Sequence, residues 1–118
     1  MIQVGTRLEV ADNSGAKTVQ CIRTDKKSVS IGDTILVSIK QMKHKGKVSK
    51  GDMSLAIVTE TKKRTHRMDG TSFVCSRNAV VLVSAQRIPI GTRIYGSVPY
   101  ELRAKNALRL VSLATKTF

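Results

Sequence analysis

The sequence predicts a mainly β fold: a small closed barrel with a long hairpin arm and one or two short helices near the C-terminal end. Three observations lead to this prediction. Apolar residues alternate with polar ones at a period of two in successive short segments, as expected of half-buried strands. Turn-forming residues separate these segments, and only one stretch is a good helix former. Because a closed barrel leaves no apolar sheet edge unpaired, it suits five or more short strands.

The first half of the chain predicts three strands. Leu8 and Val10 alternate with polar neighbours, and the Asp-Asn-Ser-Gly cluster at 12–15 favours a reversal of the chain. Alternation resumes around Val19. A third strand is predicted from Thr34 to Met42, with its apolar side chains on one face.

The second half predicts the hairpin arm, a core strand and the helix. Residues 55–61 are predicted to be a strand, the Asp-Gly pair at 69–70 a tight connection, and 73–75 the returning strand. Residues 78–83 are almost all apolar, which is typical of a strand covered on both faces. Residues 101–108 have the composition of a helix. With 118 residues, the chain is expected to form one domain.

The charge of the chain indicates a polyanionic partner. Twenty-one Lys and Arg stand against eight Asp and Glu, a formal charge of +13. Nucleic acid is the favoured partner. A membrane surface is disfavoured because the chain has no Trp and only two Phe. The longest apolar run, 79–83, is far shorter than a membrane span, so no membrane partner is expected.

Basic residues are concentrated between 40 and 67, where nine Lys and Arg accompany two acidic residues. Segment 43–51 alternates lysines with two glycines, so its backbone can approach a phosphate ridge while the ammonium groups bracket it. A solvated loop that only confers solubility is the alternative. The second basic cluster, 62–67, favours nucleic-acid binding. Few aromatic residues favour folded RNA over single strands, and no helix-turn-helix or zinc-finger spacing indicates DNA.

Catalytic and cofactor chemistry is not expected. Both histidines stand in basic segments without a nucleophile or paired carboxylates beside them, and no phosphate loop or dinucleotide fingerprint occurs. Asp12 and Asp69 are interpreted as turn residues. Cys21 and Cys75 are interpreted as buried, reduced thiols because two distant cysteines form neither a disulfide framework nor a zinc site. The chain is therefore predicted to be no enzyme and to hold no cofactor or metal.

Short motifs along the whole chain resemble one family, the L-fourteen proteins of the large ribosomal subunit. The most specific is the block Val-Ala-Asp-Asn-Ser-Gly-Ala at 10–16. The other matches follow in family order at 1–3, 21–22, 32–33, 46–48, 50–52, 69–70, 89–96 and 101–103.

The resemblance implies a five-stranded barrel over about 1–100, a projecting β-ribbon, and a short helical segment over about 101–118. It also implies a structural role in which the chain binds large-subunit ribosomal RNA and neighbours of the L-three and L-nineteen types. Contact with small-subunit RNA in an intersubunit bridge is implied as well. Thr92, Arg93 and Arg109 match the face on which the family's ribosome-silencing factor docks.

We predict an RNA-binding set composed of one turn serine and the cations of the basic segments and strands. Its members are Ser14, Lys17, Arg23, Lys40, Lys43, Lys45, Lys47, Lys50, Lys62, Lys63, Arg64, Arg67 and Arg77.

Some features depart from the family pattern and bear on the compartment. The segment between Cys21 and Gly32 is shorter than the usual bacterial form, Cys75 replaces an aromatic residue, and Thr59 interrupts an aliphatic run. These departures favour the mitochondrial matrix, with the bacterial cytoplasm or a plastid as alternatives. Two other functions stay open: a free RNA chaperone or translation factor with a barrel domain, and a small nuclease or RNA-modifying enzyme.

Overall fold

The computed structural model describes residues 2–25, 27, 29–43, 46, 48–104 and 108–118. Within these ranges the chain forms strands and two short helices. In chain order they are β1 Arg7–Val10, β2 Ala16–Arg23, β3 Thr34–Met42, β4 Met53–Glu60, β5 Thr65–His66, β6 Ser72–Phe73, β7 Ala79–Val83, β8 Ile94–Val98, α1 Glu101–Ala104, α2 Leu108–Leu113 and β9 Ala114–Thr117.

The predicted five-stranded barrel is confirmed. Strands β1, β2, β3, β4 and β7 close on one another in that order. All neighbours are antiparallel except β1 and β7, which run parallel and close the barrel. Strand β3 has the predicted bounds, and its alternate residues Ile35, Val37 and Ile39 are buried inside the barrel. Period-two alternation therefore identified the inward face correctly.

Strand β7 is buried at every position, as its composition predicted. Val80 and Leu82 belong to the core inside the barrel. Val81 and Val83 instead join a second core on the outside of the barrel, together with residues of β8 and both helices. The C-terminal elements therefore cover the outer face of β7, which explains why this strand is apolar on both faces.

The predicted helical segment, about 101–118, is wrong at its end, because Ala114–Thr117 form a strand. This strand, β9, runs parallel to β8, with Ile94 opposite Ala114 and Val98 opposite Thr117. Pairing with β8 satisfies backbone groups that another helical turn would satisfy internally. The predicted helix 101–108 corresponds to α1 and the start of α2, and residues 105–107 between them lie outside the described ranges. Neither helix in the described ranges has the length and apolar character needed to cross a bilayer.

The predicted long hairpin arm from 55–61 to 73–75 is wrong, because Met53–Glu60 form the barrel strand β4. The ribbon is a short hairpin of two-residue strands, β5 and β6. Asp69 shapes its turn, since its Oδ1 accepts hydrogen bonds from the Thr71 hydroxyl at 2.6 Å and the Thr71 N–H at 3.0 Å. The same bonds lower the pKa of the Asp69 carboxyl. The strand predicted at 73–75 ends at Phe73, because the Cys75 N–H donates to the Thr61 carbonyl oxygen and returns the chain to the end of β4.

Candidate nucleic-acid interface

The turn between β1 and β2 is built around the buried carboxylate of Asp12. Its Oδ1 accepts hydrogen bonds from the Ser14 hydroxyl at 2.6 Å and the Ser14 N–H at 3.2 Å, and its Oδ2 accepts one from the Leu82 N–H at 3.2 Å. Burial raises the pKa of the Asp12 carboxyl, although these hydrogen bonds oppose the change. Ser14, a member of the predicted RNA-binding set, is itself buried. Its hydroxyl therefore stabilises the turn.

Asn13 joins this turn to the segment that follows β7. The Asn13 Oδ1 accepts hydrogen bonds from the backbone N–H groups of Thr92 at 2.7 Å and Arg93 at 3.0 Å, and its Nδ2 donates to the Thr92 hydroxyl at 2.8 Å. The approach requires a glycine, because a Cβ at Gly91 would lie 2.7 Å from the Asn13 Oδ1. Asn13 therefore fixes the backbone beneath the exposed side chain of Arg93. Sequence analysis placed Asn13 in a turn but did not find this role.

The basic loop after β3 packs against the same turn. The Lys43 N–H donates to the Gly15 carbonyl oxygen at 2.9 Å. Gly46 lies so close to the Ser14 carbonyl oxygen that an added Cβ would collide with it. The loop is closed where the Asp52 carboxylate accepts a hydrogen bond from the Ser49 N–H at 3.0 Å. The predicted RNA-binding residues Lys45 and Lys47, and His44 beside them, lie outside the described residues.

These contacts gather cations around one end of the barrel, where β2 begins and β3 ends. We call this surface the turn face and define it as Lys17, Lys40, Lys43, Lys50 and Arg93. No member of the turn face makes an ion pair with a described residue. The Lys43 ammonium lies 5.7 Å from the centre of the exposed Tyr95 ring, a cation–π contact beside Arg93. The turn face thus presents positive charge that the described chain leaves uncompensated.

The second basic cluster does not join the turn face, because it follows the opposite end of β4. That strand has eight residues and spans roughly 26 Å. Lys62, Lys63 and Arg64 are exposed there. The Lys62 backbone N–H donates to the Asn78 side-chain oxygen at 2.9 Å, and the Arg64 guanidinium donates to the Ser72 hydroxyl at 3.2 Å. We call residues 62–77 the hairpin segment.

Arg67 joins the hairpin segment to the C-terminal elements. Its Nε lies 2.8 Å from the Glu101 carboxylate, and its Nη2 donates to the Phe118 carbonyl oxygen at 2.8 Å. The guanidinium stacks 4.6 Å from the centre of the Phe73 ring, which meets Phe118 edge to face at 5.2 Å. Only 28% of the Arg67 side chain is exposed. The structure therefore places this predicted RNA-binding residue in a contact within the chain.

Arg77 occupies a similar position between two strands. Its guanidinium contacts the carboxylates of Glu60 at 2.7 Å and Glu9 at 3.0 Å, which joins the end of β4 to β1. Burial opposes the charged form, but the hydrogen bonds that the guanidinium donates to both carboxylates outweigh it and raise the pKa of Arg77. Arg23, at the end of β2, is exposed and lies 3.9 Å from the Asp25 carboxylate.

Of the predicted partner face, Arg93 lines a shallow groove. Arg93, Tyr95 and Leu113 line this groove, which has a volume of about 290 Å³. The exposed Arg109 stands four residues before Leu113 on α2, so both are on one face of the helix. Thr92 is exposed, but its hydroxyl and N–H are engaged by Asn13.

Cys21, Cys75 and His66 lie on different segments of the described structure. Cys21 is buried, as predicted, and burial raises the pKa of its thiol. Cys75 is only half-buried, because it lies in the connection after β6 and not in a strand, so the prediction of full burial is wrong. Partial burial also raises its pKa. His66 is exposed on β5. Among the described residues, no group of three or more His, Cys, Asp and Glu is placed to hold a metal ion.

The comparison with protein families covers the whole chain, including the residues of the turn face. The model of the family described as "Ribosomal protein L14p/L23e" matches residues 1–118, the whole chain. The matched region includes the turn at 12–15, the loop that packs against it and the segment held by Asn13. The chain therefore belongs to the ribosomal protein L14p/L23e family, a family of structural proteins of the large ribosomal subunit.

Proposed function

We propose that the chain binds large-subunit ribosomal RNA through the turn face. The observation that carries this proposal is the uncompensated charge there: Lys17, Lys40, Lys43, Lys50 and Arg93 make no ion pair with a described residue. By contrast, Arg67 and Arg77 are neutralised by the chain's own carboxylates. Phosphates are the partner that such a group of cations recruits, with release of their counterions.

The geometry of the turn face favours folded RNA. Tyr95 is the exposed aromatic residue beside it, and Lys43 lies over its ring, so no row of rings is available to stack successive bases. Lys43 and Gly46 of the basic loop pack against a turn whose own polar groups are satisfied by Asp12 and Asn13. A fixed backbone with exposed ammonium groups suits recognition of a duplex through its shape and phosphates.

The second part of the proposal concerns the partner face of Thr92, Arg93 and Arg109. We infer that it contributes to an intersubunit bridge with small-subunit RNA, and that a ribosome-silencing factor competes for the same face. The guanidinium of Arg93 stands on a backbone fixed by Asn13, so it can present two parallel donors to a phosphate or carboxylate. We also propose that the chain packs against neighbours of the L-three and L-nineteen types in a mitochondrial ribosome. The family resemblance supports these neighbours, and the departures from the family pattern support the mitochondrial compartment.

The test measures binding to a fragment of large-subunit ribosomal RNA over a range of salt concentrations. If the turn face and neighbouring lysines neutralise roughly six to eight phosphates, log K against log salt has a slope of about −4 to −7. A slope near zero contradicts the proposal. A high-salt wash of isolated large subunits distinguishes a built-in component, which stays on the particle, from a free RNA chaperone or translation factor, which leaves it.

A further inference from the structure

A second surface feature lies on the outside of the barrel, away from the turn face. Strand pairing places Arg23 opposite Leu36, Leu36 opposite Leu55, and Leu55 opposite Val83, in a row across β2, β3, β4 and β7. Leu36 stands between the inward-facing Ile35 and Val37, so it faces outward. Leu36 and Leu55 are both only half-buried. Leu55 packs against the second core, whereas Leu36 is an apolar side chain at an outward position where a solvated barrel normally has a polar one.

This row forms the floor of a cavity of about 370 Å³. Leu36 and Leu55 line it, together with the backbone and side chains around Thr34. Arg23, Asp25 and Arg87 also line it, and the Arg23 Nε lies 3.9 Å from the Asp25 carboxylate. The volume is within the range of about 300–1,000 Å³ that small ligands occupy. The cavity thus combines an apolar floor with two guanidinium groups on its sides.

Arg87 is held in an unfavourable backbone conformation by the loop that follows β7. Its φ is 64°, and no other described non-glycine residue has a positive φ. Three hydrogen bonds close the loop: the Ser84 N–H donates to the Ile88 carbonyl oxygen, the Arg87 N–H to the Ser84 carbonyl oxygen, and the Ile88 N–H to the Ser84 hydroxyl. Glycine adopts this conformation at no steric cost. The loop itself holds Arg87 in this conformation, and the exposed side chain makes no ion pair with a described residue, so its guanidinium is available to a ligand.

We propose that this cavity binds one unstacked nucleotide of the RNA. The base lies on Leu36 and Leu55, and the phosphate lies between the guanidinium groups of Arg23 and Arg87. An unstacked base needs an apolar or guanidinium surface for its face, and its phosphate needs cations; the cavity offers both in a space of nucleotide size. The exposed carboxylate of Asp25 can accept a hydrogen bond from a ribose 2′-hydroxyl or an exocyclic amine.

This inference rests on the proposed RNA-binding function but concerns a different surface. The turn face contacts the phosphates of a duplex, whereas the cavity binds a single base that is not stacked on its neighbours. RNA bound at the turn face holds its neighbouring nucleotides near the barrel at a raised effective concentration, which favours a nucleotide over an acidic peptide as the occupant.

The first experiment titrates the full chain with AMP and follows backbone amide signals by NMR. We expect saturable shifts at Leu36, Leu55 and Ala85, and the same shifts with an RNA hairpin that carries one bulged adenosine. A fully paired hairpin is expected to shift the turn face alone. Inorganic phosphate that binds the cavity as tightly as AMP, no shift at these amides with AMP, or tighter binding there by an acidic peptide each overturns the proposal.

The second experiment compares substitutions of equal charge. Arg87→Gln is expected to weaken AMP binding at least about tenfold, since it removes a charge-assisted contact. Arg7→Gln, an exposed arginine on β1 outside the cavity, is the matched control and is expected to leave AMP binding unchanged. Arg87→Gly relieves the backbone strain, so it is expected to lose AMP binding while thermal stability is kept or increased. Retained AMP binding in both Arg87 variants overturns the proposal.

Failure of this inference is distinguishable from failure of the proposed function. If duplex binding depends steeply on salt but the amide signals of the cavity residues do not shift with AMP, the nucleotide site is removed and the turn face is kept. A salt slope near zero with AMP bound at Leu36 and Leu55 removes the turn face as an RNA-binding surface and keeps the nucleotide site.

Discussion

The turn face and the hairpin segment are both rich in Lys and Arg, but their cations have different partners. At the turn face, Asp12 and Asn13 hold the backbone through hydrogen bonds of 2.6–3.2 Å, and the exposed cations are left without ion pairs to described residues. In the hairpin segment, Arg67 and Arg77 hold the structure themselves, through contacts of 2.7–3.0 Å with carboxylates.

The difference shows that local charge density does not by itself identify a nucleic-acid contact. A cation contributes to binding when neutral groups, and not the cation itself, hold the surrounding backbone, as Asn13 holds the backbone of Arg93. A partly buried guanidinium held close to the chain's own carboxylate, as in Arg67 and Arg77, gains little from a phosphate, because it must first give up that carboxylate. We therefore expect substitutions at the turn face to lower RNA affinity, and substitutions of Arg67 or Arg77 in the hairpin segment to lower stability.

The largest expected effect is on affinity at the turn face. Replacing Lys40, Lys43 and Lys50 together by Ala removes three phosphate contacts, so the slope of log K against log salt becomes less steep by about two to three units. At 0.1 M salt this corresponds to roughly 100- to 1,000-fold weaker binding. Titration of an RNA fragment measures the slope, and thermal unfolding is expected to be unchanged because these side chains lie outside the core. If the variant unfolds, or keeps the original slope, the turn-face lysines do not differ from the structural cations of the hairpin segment as proposed.

The next effect is on stability in the hairpin segment. Arg67→Ala removes the bonds to Glu101 and Phe118 and leaves a partly buried carboxylate unpaired, so the free energy of unfolding is expected to fall by about 2–3 kcal/mol. Denaturant titration measures this loss. Arg64→Ala is the matched control, since Arg64 is exposed and makes one side-chain bond, and a change of less than about 0.5 kcal/mol is expected. If Arg67→Ala weakens RNA binding as the lysine substitutions do, without loss of stability, the structural assignment of Arg67 is incorrect.

A smaller effect is expected at the partner face. Arg93→Ala removes one charge of the turn face but leaves its four lysines and the backbone fixed by Asn13, so incorporation into the large subunit is expected to be kept. Subunit joining or binding of a silencing factor is expected to weaken by about 1.5 kcal/mol, the lower end for a charge-assisted bond. Light scattering of joining subunits and pull-down of the factor measure the two effects. Arg103→Ala, on the exposed side of α1, is the control. Failure of assembly would instead give Arg93 a structural role.

The smallest expected effect distinguishes the two cysteines. Burial raises the pKa of both thiols, so each has less reactive thiolate at neutral pH than a free cysteine. Cys21 is inside the barrel and is expected to react only after unfolding, whereas the half-buried Cys75 is expected to react slowly in the folded chain. Raising the pH increases the rate at Cys75 because it increases the thiolate fraction. Mass spectrometry after timed alkylation measures both rates, and faster labelling of Cys21 than of Cys75 would contradict the burial assignments.

Much of the fold follows from local sequence patterns. The alternation in β3 and the continuous apolar run in β7 identified the strands and their buried faces, because side-chain period reports directly on which faces meet the core. The Thr59 that interrupts the apolar run is also accommodated: its buried hydroxyl donates to the Ala79 carbonyl oxygen at 3.3 Å. Charge and composition indicated a polyanionic partner, and the ordered motifs indicated the family that the whole chain matches.

The tertiary structure alone decided which cations are available and how the C-terminal end is paired. Asn13 and Thr92 are 79 positions apart, Arg67 and Glu101 are 34 apart, and β9 finds its hydrogen bonds on β8. No short sequence window contains both members of such a pair, and composition does not distinguish an arginine that meets a carboxylate from one that meets solvent. The sequence determined which segments become strands and how much charge they carry, because those properties are local. The packing of distant segments determined which of those cations meet a carboxylate of the chain and which meet solvent.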